Sequence, residues 1–188
     1  MSDNSSVHAT AVLVGERAVL IRGPSGAGKS RLAFDLILAG RAGQLPPAIL
    51  VGDDRVHLDT AGEQLWVRPA RQLAGLIEIR GLGIRRCPFA AEAVVGLVVD
   101  LAADDAARLP PPEALRIRLN GVSVPRIPVA VGFQPLPLVV AALTTTESSC
   151  SRNLADNCGK GIGNHITSTI APDLVGAASP LYRQDQGD

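Results

Sequence analysis

Aromatic side chains are nearly absent from this chain, with one Trp, one Tyr and three Phe in 188 residues. A core without large rings must be packed from Val, Leu, Ile and Ala. The 46% hydrophobic content supplies these, in the composition of buried strands covered by helices. Cysteine is equally scarce: Cys87, Cys150 and Cys158 are odd in number, widely spaced and without a C-x-x-C, which excludes a disulfide framework or zinc site as the organising device and points to a reducing compartment. Net charge is missing too. Eighteen basic residues balance 18 acidic ones, which removes the electrostatic argument for nucleic acid or a membrane surface as partner. No apolar run approaches membrane-spanning length and no basic-then-apolar leader opens the chain, so a soluble, cytoplasmic protein is expected.

What is present is glycine in one informative place. Gly23-Pro24-Ser25-Gly26-Ala27-Gly28-Lys29-Ser30 fits G-x-x-x-x-G-K-[ST] at every specified position. In such a loop the glycines let successive N–H groups converge on one anion, and the following helix adds its positive end. Lys29 is expected to reach the β- and γ-phosphates and the Ser30 hydroxyl to ligate Mg²⁺. The flanking sequence fits, since a β-branched run over 17–22 precedes the loop and a helical run over 30–39, with Leu32, Ala33, Leu36 and Ile37 as its stripe, follows it.

Around this loop the chain divides into short elements. Runs at 10–14 and 17–21, separated by Gly15-Glu16, predict a hairpin that places His8 just ahead of the strand beside the loop. Ala48-Ile49-Leu50-Val51 predicts a buried strand carrying Asp53 and Asp54 at its C-terminal end, the edge where open α/β sheets bind ligands. A second hairpin is expected from 56–58 and 64–67. In Leu76-Ile77-Glu78-Ile79-Arg80-Gly81-Leu82-Gly83-Ile84 the alternation puts Glu78 and Arg80 on one face, Gly81 and Gly83 permit a bend, and Arg85-Arg86 follow as a basic pair. The apolar run 93–101 predicts a central strand. On pattern alone its Asp100 competes with Asp53 and Asp54 as the Mg²⁺-linked acid. A short helix is expected over 104–109, a hairpin around Asn120-Gly121, a helical segment over 138–143 and a poorly ordered tail beyond. The predicted organisation is one domain over 1–143 and a tail over 144–188. The alternatives to a protein serine kinase are a small-molecule kinase, which would want an arginine-rich lid that the clustered arginines do not form, and a nucleotide-sensing module without transfer activity.

Taken together, the loop, the Asp53-Asp54-Arg55-Val56 run and the Leu76–Ile84 run resemble the catalytic domain of bacterial HPr kinase/phosphorylase over about residues 8–131. The resemblance implies an α/β P-loop kinase domain of the HPr kinase and phosphoenolpyruvate carboxykinase type, a mixed sheet with flanking helices and hairpins. It also implies use of ATP and Mg²⁺ to phosphorylate a serine of an HPr-type phosphocarrier of the sugar or nitrogen phosphotransferase system, and a homo-oligomer, the hexamer. By position, His8 falls on a catalytic histidine, Lys29 and Ser30 on the phosphate- and Mg²⁺-binding pair, and Glu78 on a second metal-linked carboxylate. Asp54 falls on the general base with Asp53 beside it, and Arg108 on a catalytic arginine, while Asp100 becomes the end of a core strand. Arg80, Arg85 and Arg86 are left for phosphate or partner. The chain looks like a short form without the extra N-terminal domain. Over 128–134, where the family has a basic, asparagine-containing loop, this chain carries neither Arg nor Asn, which argues against the reverse phosphorolysis.

Overall fold

The apolar run 93–101 forms the longest strand, and the sheet is arranged about it. The computed structural model describes residues 6–146; Cys150, Cys158, His165 and nearly all of the expected tail lie outside the described residues. In chain order the elements are β1 (Thr10–Val14), β2 (Arg17–Arg22), α1 (Lys29–Arg41), β3 (Ala48–Gly52), β4 (Val56–Ala61) and β5 (Gln64–Pro69), then β6 (Leu76–Ile79), β7 (Gly83–Arg86), β8 (Ala93–Leu101), β9 (Arg116–Leu119), β10 (Val122–Val129) and α2 (Pro135–Thr144). Eight strands make one sheet in the order β3-β1-β2-β8-β10-β9, with β5 also joined to β8 and β4 to β5; β6 and β7 pair separately. The sheet is mixed, because β8 runs parallel to β2 and β10 and antiparallel to β5. The fold is therefore the α/β arrangement with few helices that the sequence predicts.

Alternation divides the core in two. Along β2, Val19 and Ile21 enter a cluster with Leu32 and Leu36 of α1, whereas Ala18 and Leu20 enter a second cluster with Val56, Leu65 and Val67 of the β4–β5 hairpin. Each of these leucines is fully buried, and truncating one to Ala costs about 2–5 kcal/mol. Both β2 and β3 are antiparallel to β1, so they point the same way and their C-terminal ends open on one edge of the sheet. That shared edge positions the site described below.

Three local expectations differ from what forms. Residues 104–109 are not helical: Ala102 takes a left-handed φ of 56° and the Asp105 carboxylate turns to Arg126, which donates to it at 2.6 and 2.9 Å. The strand after Asn120-Gly121 continues to Val129 through Pro125 and Pro128. It can do so because β10 pairs with β9 over its first half and with β8 over its second, leaving each half an unpaired side for a residue without an N–H. Helix α2 starts at Pro135, earlier than expected, and ends at Thr144. The Asn120-Gly121 turn has φ of 45° and 84°, positive at both central residues as a type I′ hairpin requires. Among the described residues no helix is long and apolar enough to cross a membrane.

Asp100 ends β8 inside an ionic network. Arg22 donates two hydrogen bonds to it, both 2.7 Å, and Arg126 a third at 2.5 Å while also bonding Asp105 and the Ala114 carbonyl. Burial most strongly opposes the charged carboxylate, yet the two guanidinium groups outweigh it and hold its pKa below the ordinary value. With the Asp100 and Arg126 side chains each only 12% exposed, Asp100→Ala is expected to lower the unfolding free energy by about 3 kcal/mol. Because the folded pKa is the lower one, that stabilisation is present above the unfolded value of about 3.9 and is lost as pH falls through the folded value. Urea unfolding of wild type and variant from neutral pH downward should show the gap closing below about pH 4; a gap independent of pH contradicts the assignment.

Candidate functional site

Strand β2 leaves the sheet at Gly23, whose φ of 142° and whose approach to Leu101 exclude any side chain: an added Cβ would lie 2.7 Å from the Leu101 carbonyl oxygen. The loop then passes Gly26 and Gly28, both with positive φ, where an added Cβ would meet nothing within 4 Å. The backbone there faces open space. Gly28 is the N-cap of α1 with φ 97°, no side chain caps the helix, and its first turn holds no acid, so the positive helix end is uncompensated. Lys29 is 6% exposed and its Nζ donates to the Gly23 and Pro24 carbonyls, both at 3.0 Å. Burial lowers the Lys29 pKa, and the nearby charges of Asp53 and Asp54 oppose that shift.

From β3 the chain delivers two adjacent aspartates to opposite surroundings. Asp53 is 3% exposed. One of its carboxylate oxygens accepts from Thr10 Oγ1 at 2.6 Å and Ser30 Oγ at 2.8 Å, and the other from the Glu78 backbone N–H at 3.0 Å. Asp54 turns outward. Its φ is 65°, and the Arg55 N–H donates to the Asp53 carbonyl at 2.8 Å, closing a three-residue turn of the strained, positive-φ kind. His8 Nε2 stands 3.4 Å from an Asp54 carboxylate oxygen.

These groups meet around a cavity of about 720 Å³. His8, Lys29, Ser30, Asp53, Asp54 and Glu78 all line it, as do Ser25, Gly26 and Gly28 of the loop. Gly23, Pro24 and Ala27 belong to the loop but do not line the cavity. Arg108 is not brought there either; it is exposed on the segment between β8 and β9. Asp100 sits behind the loop with its two arginines. The cavity also takes in residues not singled out from sequence: Thr10, Arg31, Phe34, Asp35 and Ile79. Thr10 had a signal, being the one polar residue of the run 10–14, and the pairing of Ala11 with Gly52 sets it beside Asp53. Chemically the wall offers an ammonium, the unobstructed glycine backbone of the loop, a hydroxyl beside a carboxylate and an outward-facing carboxylate next to an imidazole.

The sequence profile of the family described as the HPr Serine kinase C-terminal domain matches residues 1–148. The HPr kinase/phosphorylase of Streptococcus thermophilus (strain ATCC BAA-491 / LMD-9) is 41% identical over 85 residues, covering 45% of this chain and 25% of that protein. The protein of the same name from Streptococcus salivarius is 40% identical over 85 residues with the same coverage. These alignments thus span about a quarter of the relatives' own length. A solved structure, the Hpr(Ser) kinase/phosphatase from Coxiella burnetii, is similar over 74% of this chain and 93% of that one, with a TM-score of 0.59 and 28% identity.

The turn at Asp54 gives a test of its own. Asn tolerates the left-handed conformation, so Asp54→Asn is expected to unfold within about 0.5 kcal/mol of wild type. A β-branched residue does not, and Asp54→Val is expected to lose about 1–2 kcal/mol although the side chain is exposed. Equal urea midpoints for the two variants contradict a strained turn.

Proposed function

Because the chain belongs to the family of the HPr serine kinase C-terminal domain, we propose that it transfers the terminal phosphoryl group of ATP, with Mg²⁺, to a serine hydroxyl of an HPr-type phosphocarrier protein. The observation that carries this reading is the meeting of Lys29, Ser30, Asp53, Asp54 and His8 on one cavity wall. The residues suit both reactants. Gly26 and Gly28 leave their backbone open toward the cavity, and the uncapped end of α1 favours an anion there. Ser30 Oγ and the Asp53 carboxylate, 2.8 Å apart, are the hard oxygen donors that Mg²⁺ takes from a protein alongside phosphate and water.

In this reading the protein positions and neutralises rather than bonds. When bound, Mg²⁺ draws negative charge from the phosphate oxygens. Lys29 exchanges the Gly23 and Pro24 carbonyls for the β- and γ-phosphates, and the loop amides hold the same oxygens. Asp53 fixes Ser30, and Glu78, which lines the same cavity, would supply a second carboxylate to the metal. The serine oxygen forms its bond to the γ-phosphorus as the bond to the bridging oxygen breaks and ADP leaves. The serine proton passes to the Asp54 carboxylate, which His8 orients from 3.4 Å. Arg80, which lines the cavity, is better placed than the distant Arg108 to meet the moving phosphoryl group. Forward transfer alone is proposed: the stretch 128–134 offers no cation and exposes Val131 and Phe133 instead.

The test is incubation of the purified chain with γ-labelled ATP, Mg²⁺ and HPr-type carriers, with mass spectrometry locating the label. Wild type is expected to yield phosphoserine. Lys29→Ala and Asp54→Asn are each expected to reduce transfer by about 10²–10⁴-fold, the second without weakening nucleotide binding. Retained transfer by Asp54→Asn removes it as the base. Label on a small molecule in place of the carrier favours a metabolite kinase, and nucleotide binding with no labelled product favours a sensing module.

A further inference from the structure

The β6–β7 hairpin stands apart from the main sheet, and its two faces are unlike. One face is anchored: Ile77 is buried and Ile79 packs against the core around α1. On the other, pairing sets Ile84 directly across from Glu78, and Arg86 across from Leu76. Cross-strand partners share a face, so Ile84 and Arg86 extend outward from the surface that carries Glu78 to the cavity. Neither is needed by the core: Ile84 is 70% exposed, Leu82 at the turn is 63% exposed, and every residue of 81–86 faces solvent. Arg86 shares the face of Ile84, Arg80 follows β6 at the turn, and Arg85 lies across from Ile77 on the other face, with Glu78 the one carboxylate of the hairpin. Among the described residues none of these three arginines makes a salt bridge. In a chain of zero net charge this is a local basic excess around two exposed aliphatic side chains.

We infer that this hairpin is the docking platform for the acceptor protein. The inference rests on the preceding reading, in which the acceptor is a protein. The partner it fits is a folded protein with an apolar patch that seats on Leu82 and Ile84. Carboxylates at the rim of that patch meet Arg86, which shares the face of Ile84, and the acceptor hydroxyl projects past Glu78 toward Asp54. An apolar centre with arginine at its rim is the composition of a protein interface. Leu82, Ile84, Arg85 and Arg86 do not line the cavity, so a nucleotide or a small acceptor held within it has no use for them.

The experiment compares wild type with two surface variants, Leu82→Ser/Ile84→Ser and Arg86→Glu, after thermal unfolding has shown that both remain folded. The probe is a fluorescently labelled HPr-type phosphocarrier. Binding is read by anisotropy in the presence of a non-hydrolysable ATP analogue, and transfer by steady-state kinetics. Both variants are expected to raise the carrier Kd and KM about tenfold or more, with kcat and the KM for ATP within about twofold of wild type. Raising salt should weaken wild-type binding more than binding by the Arg86→Glu variant. Carrier Kd and KM unchanged in both variants overturn the inference, as does a wild type that binds no carrier. Dissociation of a wild-type assembly by either variant, seen by sedimentation, also overturns it, because a second copy then covers the hairpin. Carrier binding that depends on the hairpin without any phosphoserine product leaves the docking surface standing and removes the reaction proposed above.

Discussion

A single buried carboxylate holds the site together. Asp53 is almost inaccessible, and an isolated charge in such a place would carry a penalty of several kcal/mol. It is offset by donors from three separate pieces of chain, the Thr10 hydroxyl of β1, the Ser30 hydroxyl of α1 and the Glu78 amide of β6. Strand, helix and hairpin are thereby pinned to one point, and each loses a partner if any of them shifts. The ammonium of Lys29 contributes its own favourable charge nearby.

The neighbouring Asp54 is the complement of that arrangement. A turn that buries one carboxylate in a strand end must send the next one away. Here it does so through a positive φ, leaving the Asp54 side chain 66% exposed beside His8. Two identical side chains, adjacent in sequence, therefore meet opposite dielectric surroundings, a common way for proteins to separate the roles of like groups. The backbone strain at Asp54 is the local expense of that separation.

Much of this was legible in the sequence, for reasons that can be assigned residue by residue. Gly15-Glu16, Asn120-Gly121 and the loop 23–30 carry turn chemistry dictated by neighbours only, so hairpins and the loop could be placed without tertiary information. The alternation around Glu78 likewise put Glu78 and Arg80 on one face, and both line the cavity. What failed depended on distant partners. The segment 104–109 looked helical until Arg126 drew Asp105 out of it, and the length of β10 through Pro125 and Pro128 depends on a change of strand partner that no local pattern shows. Nothing in the local pattern around Arg108 could reveal that its loop stays away from the cavity.

The central position of β8 has a further consequence. Every cavity-lining residue lies between His8 and Arg80, ahead of β8 in the chain, yet β2 and β5 both depend on β8 for a pairing partner. The half of the chain that builds the cavity is thus completed by a strand that contributes no side chain to it. Occupancy of the cavity and persistence of the distant β8–β10 pairing are then linked thermodynamically: a ligand that binds only the folded form raises the free energy needed to open the whole sheet, including strands it never touches.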